Sequence, residues 1–114
     1  MDNDGQLSVE VLHHFLRHTE HLSNVIPLPV DSMRAYRFLQ NAGVILDMVF
    51  IDASHVYEDV ILDIQRWQRL LMPSGFLCGH DYGEPAHPGV KQAVDELVPK
   101  FRVVPGTRIW TTEV

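Results

Sequence analysis

The fold of this chain is decided by residues 46–60, which read LDMVFIDASHVYEDV. The stretch opens with a short, almost continuous apolar run from Leu46 to Ile51, of the kind found in strands that are covered on both faces of a parallel sheet. Ser54 and His55 interrupt this run. A helical pattern follows from about Val56 to Leu71, so the sequence predicts a strand, a turn and a helix in succession.

The same alternation of strands and helices continues on both sides of this stretch. After it, the sequence predicts a strand at Phe76–Gly79, a helix that begins at Pro88 and a hairpin around Pro105-Gly106. Before it, the predicted elements are a helix at Leu7–Leu22, an edge or short strand at Val25–Val30 and a helix at Met33–Asn41 capped by Asp31 or Ser32. This order predicts one α/β domain over residues 1–114, with a mostly parallel sheet and helices on both faces.

The composition excludes several classes of function. Hydrophobic residues make up 46% and charged residues 21% of the chain, as in an ordinary globular domain. The net charge of −6 disfavours nucleic-acid and anionic-membrane partners, which need a basic patch. Cys78 is the one cysteine, which fits a reducing compartment. The polar, acidic residues 1–5 are unlike a signal peptide, and no apolar run reaches the roughly 20 residues of a membrane span, so we expect a cytoplasmic protein.

Polar side chains follow the two central predicted strands. Asp52 comes directly after the first of them, and His80 and Asp81 come after the second. The carboxyl ends of neighbouring parallel strands meet at one rim of a sheet, where α/β proteins collect their chemistry. Two carboxylates at this rim suit a hard divalent cation such as Mg²⁺, and the imidazole of His55 suits a general base. The alternative is that both aspartates only cap the turns that follow them.

Two further groups of polar residues have weaker interpretations. His14, His18 and His21 follow one another at helical spacing, which metal ligands can use, although a solvated helix face is the more common meaning of such a pattern. The acidic residues Asp59 and Asp63 are interpreted as part of a solvated helix face.

The rim residues resemble those of a known family. Residues 46–60 resemble the fourth-strand motif of class I S-adenosylmethionine-dependent methyltransferases, in particular the small-molecule O-methyltransferases. Gly79-His80-Asp81-Tyr82 resembles the fifth-strand motif of the same family, and residues 88–94 resemble the helix after it. The resemblance covers about residues 25–110 and implies a Rossmann-like fold, here a truncated class I methyltransferase fold that ends in an antiparallel hairpin.

The resemblance also implies a role for each rim residue. Asp52 and Asp81 match the metal-binding carboxylates of the metal-dependent members, with His80 beside them as a further metal ligand. His55 matches the position of the catalytic base. In such enzymes a cation such as Mg²⁺ binds a hydroxyl group of a small-molecule acceptor, lowers its pKa and orients it toward the methyl group of the cofactor.

The sequence departs from the family in the part that binds the cofactor. Asp31 and Ser32 match the region near the adenine of S-adenosylmethionine, but the chain has no Gly-x-Gly-x-Gly turn, which lets a backbone approach that ligand. The resemblance therefore implies a truncated methyltransferase domain that is impaired or inactive alone. The alternative is a non-catalytic assembly or regulatory domain that keeps the fold and a divalent-metal site.

The same departure predicts how the chain assembles. In the family, a first strand lies beside the strand that matches residues 46–51, so its absence leaves an open sheet edge that invites pairing with another chain. Val25–Val30 is a poor replacement because Pro27 and Pro29 lack amide donors. We therefore expect a homodimer, with the first helix or Val25–Val30 in the interface.

Overall fold

A computed structural model describes residues 9–112 of the chain. Its helices are α1 (Val9–Thr19), α2 (Ser32–Asn41), α3 (Tyr57–Trp67) and α4 (Pro88–Leu97). Its strands are β1 (Leu46–Ile51), β2 (Leu71–Gly79), β3 (Phe101–Val103) and β4 (Trp110–Thr112), and a short 3₁₀ turn at Gln68–Leu70 joins α3 to β2. The predicted helix start at Leu7 and the polar segment at residues 1–5 lie outside the described residues.

The four strands form one mixed sheet in the order β1-β2-β4-β3. β1 and β2 are parallel neighbours, and Ile51 at the end of β1 lies opposite Gly79 at the end of β2. β4 runs antiparallel to both β2 and β3. The predicted α/β fold with an antiparallel hairpin at its carboxyl end is therefore confirmed.

Local sequence signals explain where the helices begin and end. Asp31 caps α2, since its side chain accepts a hydrogen bond of 2.9 Å from the backbone N–H of Arg34. Gly43 follows α2 with a φ of +72°, a conformation that glycine adopts without strain. Pro88 occupies the first turn of α4, where its missing N–H costs nothing.

The core lies between α3, α4 and one face of the sheet. Ile64 of α3, Ala93 and Val94 of α4 and Trp110 of β4 are almost completely buried there. Val49 and Ile51 of β1 face the same core. Burial of these side chains holds β1 and β2 in register, and this register places the residues that follow both strands side by side.

The other face of β1 differs from the expectation that this strand is covered on both sides. Met48 and Phe50 point away from the core, and they are 48% and 44% exposed. β1 is also the end strand of the described sheet. In α1, none of the residues is buried, so the apolar side that the sequence predicts for this helix does not enter the core.

The structure differs from the prediction at Val25–Val30 and at the junction of α3 and β2. Val25–Val30 forms no strand in the structure, because two of its six residues are prolines without an amide donor. β2 begins at Leu71 instead of Phe76, and α3 correspondingly ends at Trp67. The extension of β2 passes through Pro73-Ser74-Gly75, where the pairing with β1 shifts its register by a bulge.

No helix among residues 9–112 has the length and the apolar character that a bilayer crossing requires.

Candidate functional site

The ends of β1 and β2 bring three of the predicted site residues together. Asp52, His80 and Asp81 each offer one ligand atom, and these atoms lie within 4.8 Å of one another. The backbone N–H of His80 donates to the carbonyl oxygen of Ile51, which ties the two strand ends to each other. The rim therefore has the geometry that the sequence predicts, while the binding of a metal there stays a prediction.

Asp81 is the centre of this rim. Its Oδ2 lies 2.8 Å from Nε2 of His55, and its Oδ1 lies 3.0 Å from Nδ1 of His80. Its side chain is only 15% exposed, whereas both imidazoles are about two-fifths exposed. Its backbone has a φ of +68°, a left-handed conformation that aspartate adopts more readily than most non-glycine residues. This conformation occurs where the carboxylate contacts two histidines.

His55 is held between Asp81 and a second histidine. Its ring stacks on that of His87 with the centroids 3.8 Å apart and the planes inclined by 11°. The sequence places His87 in the loop after Asp81, where it could approach a substrate although a loop histidine usually has no such role, and it gives no sign of the stacking on His55. The feature of the sequence that could have placed His87 near the rim is its position directly before Pro88, at the start of α4.

The turn that carries His55 is built by local hydrogen bonds and by close packing. Ser54 Oγ donates to Asp59 of α3 over 2.8 Å and accepts from the N–H of Val56 over 3.1 Å. Gly89 of α4 packs against the same turn. A Cβ at Gly89 would lie 3.0 Å from the carbonyl oxygen of His55 and 2.8 Å from a backbone nitrogen, so the position leaves no space for a side chain.

The segment after Asp81 is tied to α4. Tyr82 Oη donates to Asp95 over 2.6 Å, and Lys91 Nζ donates to the other oxygen of the same carboxylate over 2.7 Å. The hydrogen bonds from Lys91 and Tyr82 lower the pKa of Asp95. Partial burial and the bond to Asp95 raise the pKa of Tyr82. α4 thus supports both sides of the rim.

Asp31 and Ser32 lie apart from the three clustered rim residues. Asp31 is exposed and caps α2. Ser32 Oγ donates to the buried carboxylate of Asp63 over 2.6 Å and accepts from the indole N–H of Trp67 over 2.8 Å. Burial raises the pKa of Asp63, against the lowering effect of the Ser32 bond. The sequence prediction that Asp63 is solvated is therefore wrong, since it lies under α2.

An open cleft of about 410 Å³ runs along β1 and connects these two regions. Ser32, Asp63 and Trp67 line one side of it, and β1 with Asp52 lines the other. The cleft reaches the rim at Asp52 and includes no lysine or arginine in its lining. The involvement of Asp31 and Ser32 in cofactor binding stays a prediction.

The family model described as a methyltransferase domain matches residues 2–82. Two solved structures of CalS11, described as a TDP-rhamnose 3'-O-methyltransferase of calicheamicin biosynthesis, are similar to the chain with TM-scores of 0.59 and 0.58 and 16% identity. The alignments cover 72% of this chain and 37% and 34% of the two structures. A protein from Streptococcus mutans described as a SAM-dependent methyltransferase gives a TM-score of 0.63 at 13% identity, over 92% of this chain and 35% of its own length.

The chain therefore spans about a third of the length of these solved structures. At such low identity the structural similarity shows the fold. The comparison with curated proteins gives no significant match. Methyltransferases of this kind generally use S-adenosylmethionine as the methyl donor. Since the family model covers well over half of the 114 residues, the chain belongs to the methyltransferase domain family.

Proposed function

We propose that this domain carries the cation and base groups of an S-adenosylmethionine-dependent O-methyltransferase site that acts on a hydroxyl group of a small molecule. We also propose that the chain alone is impaired in methyl transfer. The observation that carries the proposal is the position of Asp81, which contacts His55 with one oxygen and His80 with the other, beside Asp52.

The donor set at the rim fits a divalent cation. Asp52, Asp81 and His80 offer two carboxylates and one imidazole, a combination that suits Mg²⁺ or a similar ion such as Mn²⁺. Nδ1 of His80 lies 3.0 Å from Asp81 Oδ1, so Nδ1 is the ring nitrogen on the side of the carboxylate, and a cation held by His80 and Asp81 together would take the place of the proton that these two atoms share. When bound, the cation would lower the pKa of the acceptor hydroxyl.

His55 is suited to take the proton of that hydroxyl. Its Nε2 lies 2.8 Å from Oδ2 of Asp81, so Nε2 is the ring nitrogen that faces the rim. A carboxylate in this position orients the imidazole and stabilises the imidazolium that forms when the proton is accepted. The stacked ring of His87 restricts rotation of His55, while its 41% exposure leaves the base accessible to an acceptor.

Binding of the methyl donor is the step in which we expect the isolated chain to be weak. Asp31 and Ser32 lie at the start of α2, and Ser32 lines the cleft that reaches Asp52, which supports their proposed position near the adenine. The 114 residues contain no Gly-x-Gly-x-Gly turn to receive the methionine and ribose portions.

The second candidate function is a non-catalytic domain for assembly or regulation, and the shape of β1 favours it. β1 is the end strand of the described sheet, and its residues Met48 and Phe50 are about half exposed on the face away from the core. Such an edge supports the proposed homodimer, with α1 or Val25–Val30 in the interface. Sedimentation equilibrium at micromolar concentration tests it, since a species of 13.0 kDa would refute the dimer.

Calorimetry with S-adenosylmethionine and with Mg²⁺ or Mn²⁺ tests the catalytic proposal. We expect the wild-type chain to bind the cation and to bind S-adenosylmethionine weakly. Asp52→Ala should abolish cation binding, whereas Asp47→Ala, which removes an exposed carboxylate of β1 away from the rim, should retain it. Equal cation affinity in both variants would overturn the metal site, and unfolding of Asp52→Ala would support the turn-capping alternative. Tight cofactor binding by the isolated chain would overturn the proposed impairment.

A further inference from the structure

A pair of histidines on α1 lies outside the methyltransferase site. His14 and His18 are exposed and stand one helical turn apart, with their ring centroids 4.2 Å from each other and the ring planes inclined by 44°. From this pair we propose a second metal site of the domain, in which the two imidazoles bind a transition-metal ion such as Zn²⁺.

The hydrogen bond of His18 prepares this residue for metal binding. Its Nδ1 lies 2.9 Å from the carbonyl oxygen of His14. A carbonyl oxygen can only accept, so Nδ1 carries the proton, and the lone pair of the neutral ring lies on Nε2 at the outer end of the side chain. Metal-binding histidines commonly donate their other ring N–H to a backbone carbonyl in this way, which fixes the tautomer and the direction of the ring.

The two rings lie close to the spacing that one ion requires. Bonds of about 2.0–2.1 Å in tetrahedral geometry place two nitrogen ligands of zinc about 3.3 Å apart. The same geometry places the ring centroids about 5.2 Å apart, so the observed 4.2 Å must widen by about 1 Å through side-chain rotation when the ion binds. Within residues 9–112 the one group of three mutually close ligand residues is that at the rim, so water would complete the coordination on α1.

The chemistry of the pair separates it from the rim. Glu10 and Arg17 lie within one turn of His14 and carry opposite charges, so attraction to the cation comes from imidazole lone pairs and not from net charge. Two imidazoles without a carboxylate ligand favour Zn²⁺, Ni²⁺ or Cu²⁺ over Mg²⁺. The two sites should therefore be separable by the choice of ion.

The test is a calorimetric titration of the full chain with Zn²⁺ in the presence of excess Mg²⁺. We expect His14→Asn and His18→Asn each to weaken Zn²⁺ binding by about tenfold or more, because each removes one of the two ligands. His13→Asn removes a neighbouring exposed histidine of α1 and should leave the affinity unchanged.

Helix content measured by circular dichroism supplies a second readout, since an ion that links residues one turn apart should stabilise α1. Zn²⁺ should raise the helix content of the wild type and of Asp52→Ala, but not that of His14→Asn. Wild-type affinity in His14→Asn and His18→Asn would overturn the proposal, and so would an equal loss in His13→Asn. If Asp52→Ala abolishes Zn²⁺ binding, the ion is bound at the rim and the proposal is overturned. α1 has no buried residue, so these substitutions should leave the core folded.

Discussion

Gly89→Ala should disturb the rim from a position outside it. The added Cβ would lie 2.8 Å from the backbone nitrogen of Tyr57, and an ordinary contact requires about 3.4 Å, so α4 and the turn at His55 must separate by about 0.6 Å. If His55 takes up this shift along the line of its contact with Asp81, the 2.8 Å distance lengthens to about 3.4 Å, outside the usual range of a hydrogen bond.

The expected change in stability is modest, because two effects oppose each other. Overpacking costs about 1–3 kcal/mol. Alanine favours a helix over glycine by about 1 kcal/mol. The net loss in the free energy of unfolding is therefore about 0–2 kcal/mol, measured by urea denaturation.

Gly43→Ala is the matched control. A Cβ at Gly43 has no atom within 4 Å, but its φ of +72° costs alanine about 1–2 kcal/mol. Both variants should thus lose similar stability, while only Gly89→Ala should shift the imidazole NMR signals of His55 and weaken cation binding. A Gly89→Ala chain that is more stable than the wild type and keeps its His55 signals would refute the reasoning.

Three further predictions concern the supports of the site. Gly79→Ala should destabilise the fold by about 1–3 kcal/mol or more in urea denaturation, because its Cβ would lie 2.6 Å from the indole nitrogen of the buried Trp110; wild-type stability would contradict the packing. Burial raises the pKa of Asp63, so the free energy of unfolding of the wild type should fall as the pH rises from the unfolded carboxyl pKa through the folded one. Asp63→Asn should remove that decline. An unchanged pH profile of the unfolding free energy in this variant would count against the prediction. Lys91 and Tyr82 lower the pKa of Asp95, so its contribution to stability is present above the unfolded pKa and is lost as the pH falls through the folded pKa. Asp95→Asn should therefore lower the free energy of unfolding by under about 1 kcal/mol at neutral pH and leave it unchanged at low pH. A loss of equal size at low pH would argue for a packing role instead.

The parts of the fold that depend on short-range signals were predictable. The cap at Asp31, the stop at Gly43 and the start at Pro88 all follow from residues within one turn of the helix end. The rim was predictable for a related reason. Two short apolar runs predict two neighbouring parallel strands, and the residues that follow these strands must meet at one end of the sheet.

The remaining features of the fold and of the site depend on contacts between parts of the chain that are distant in sequence. Helical periodicity assigns Asp63 to the polar side of α3, but α2 packs over it and supplies the hydroxyl of Ser32. His87 and Gly89 reach the His55 turn only when α4 docks on α3. Val25–Val30 has a strand-like composition apart from its two prolines, yet a strand also needs a partner strand, which composition does not report.

The strand order also has a consequence for how the chain folds during synthesis. β4 is the last strand of the described chain, but it lies between β2 and β3, and Trp110 at its start is almost fully buried. The ribosome therefore synthesises β1, α3, β2 and α4 before the residue that completes their core. A nascent chain stalled before Trp110 should present an incomplete core and an unpaired β2 edge to chaperones, and the cooperative folding step should follow the synthesis of β4.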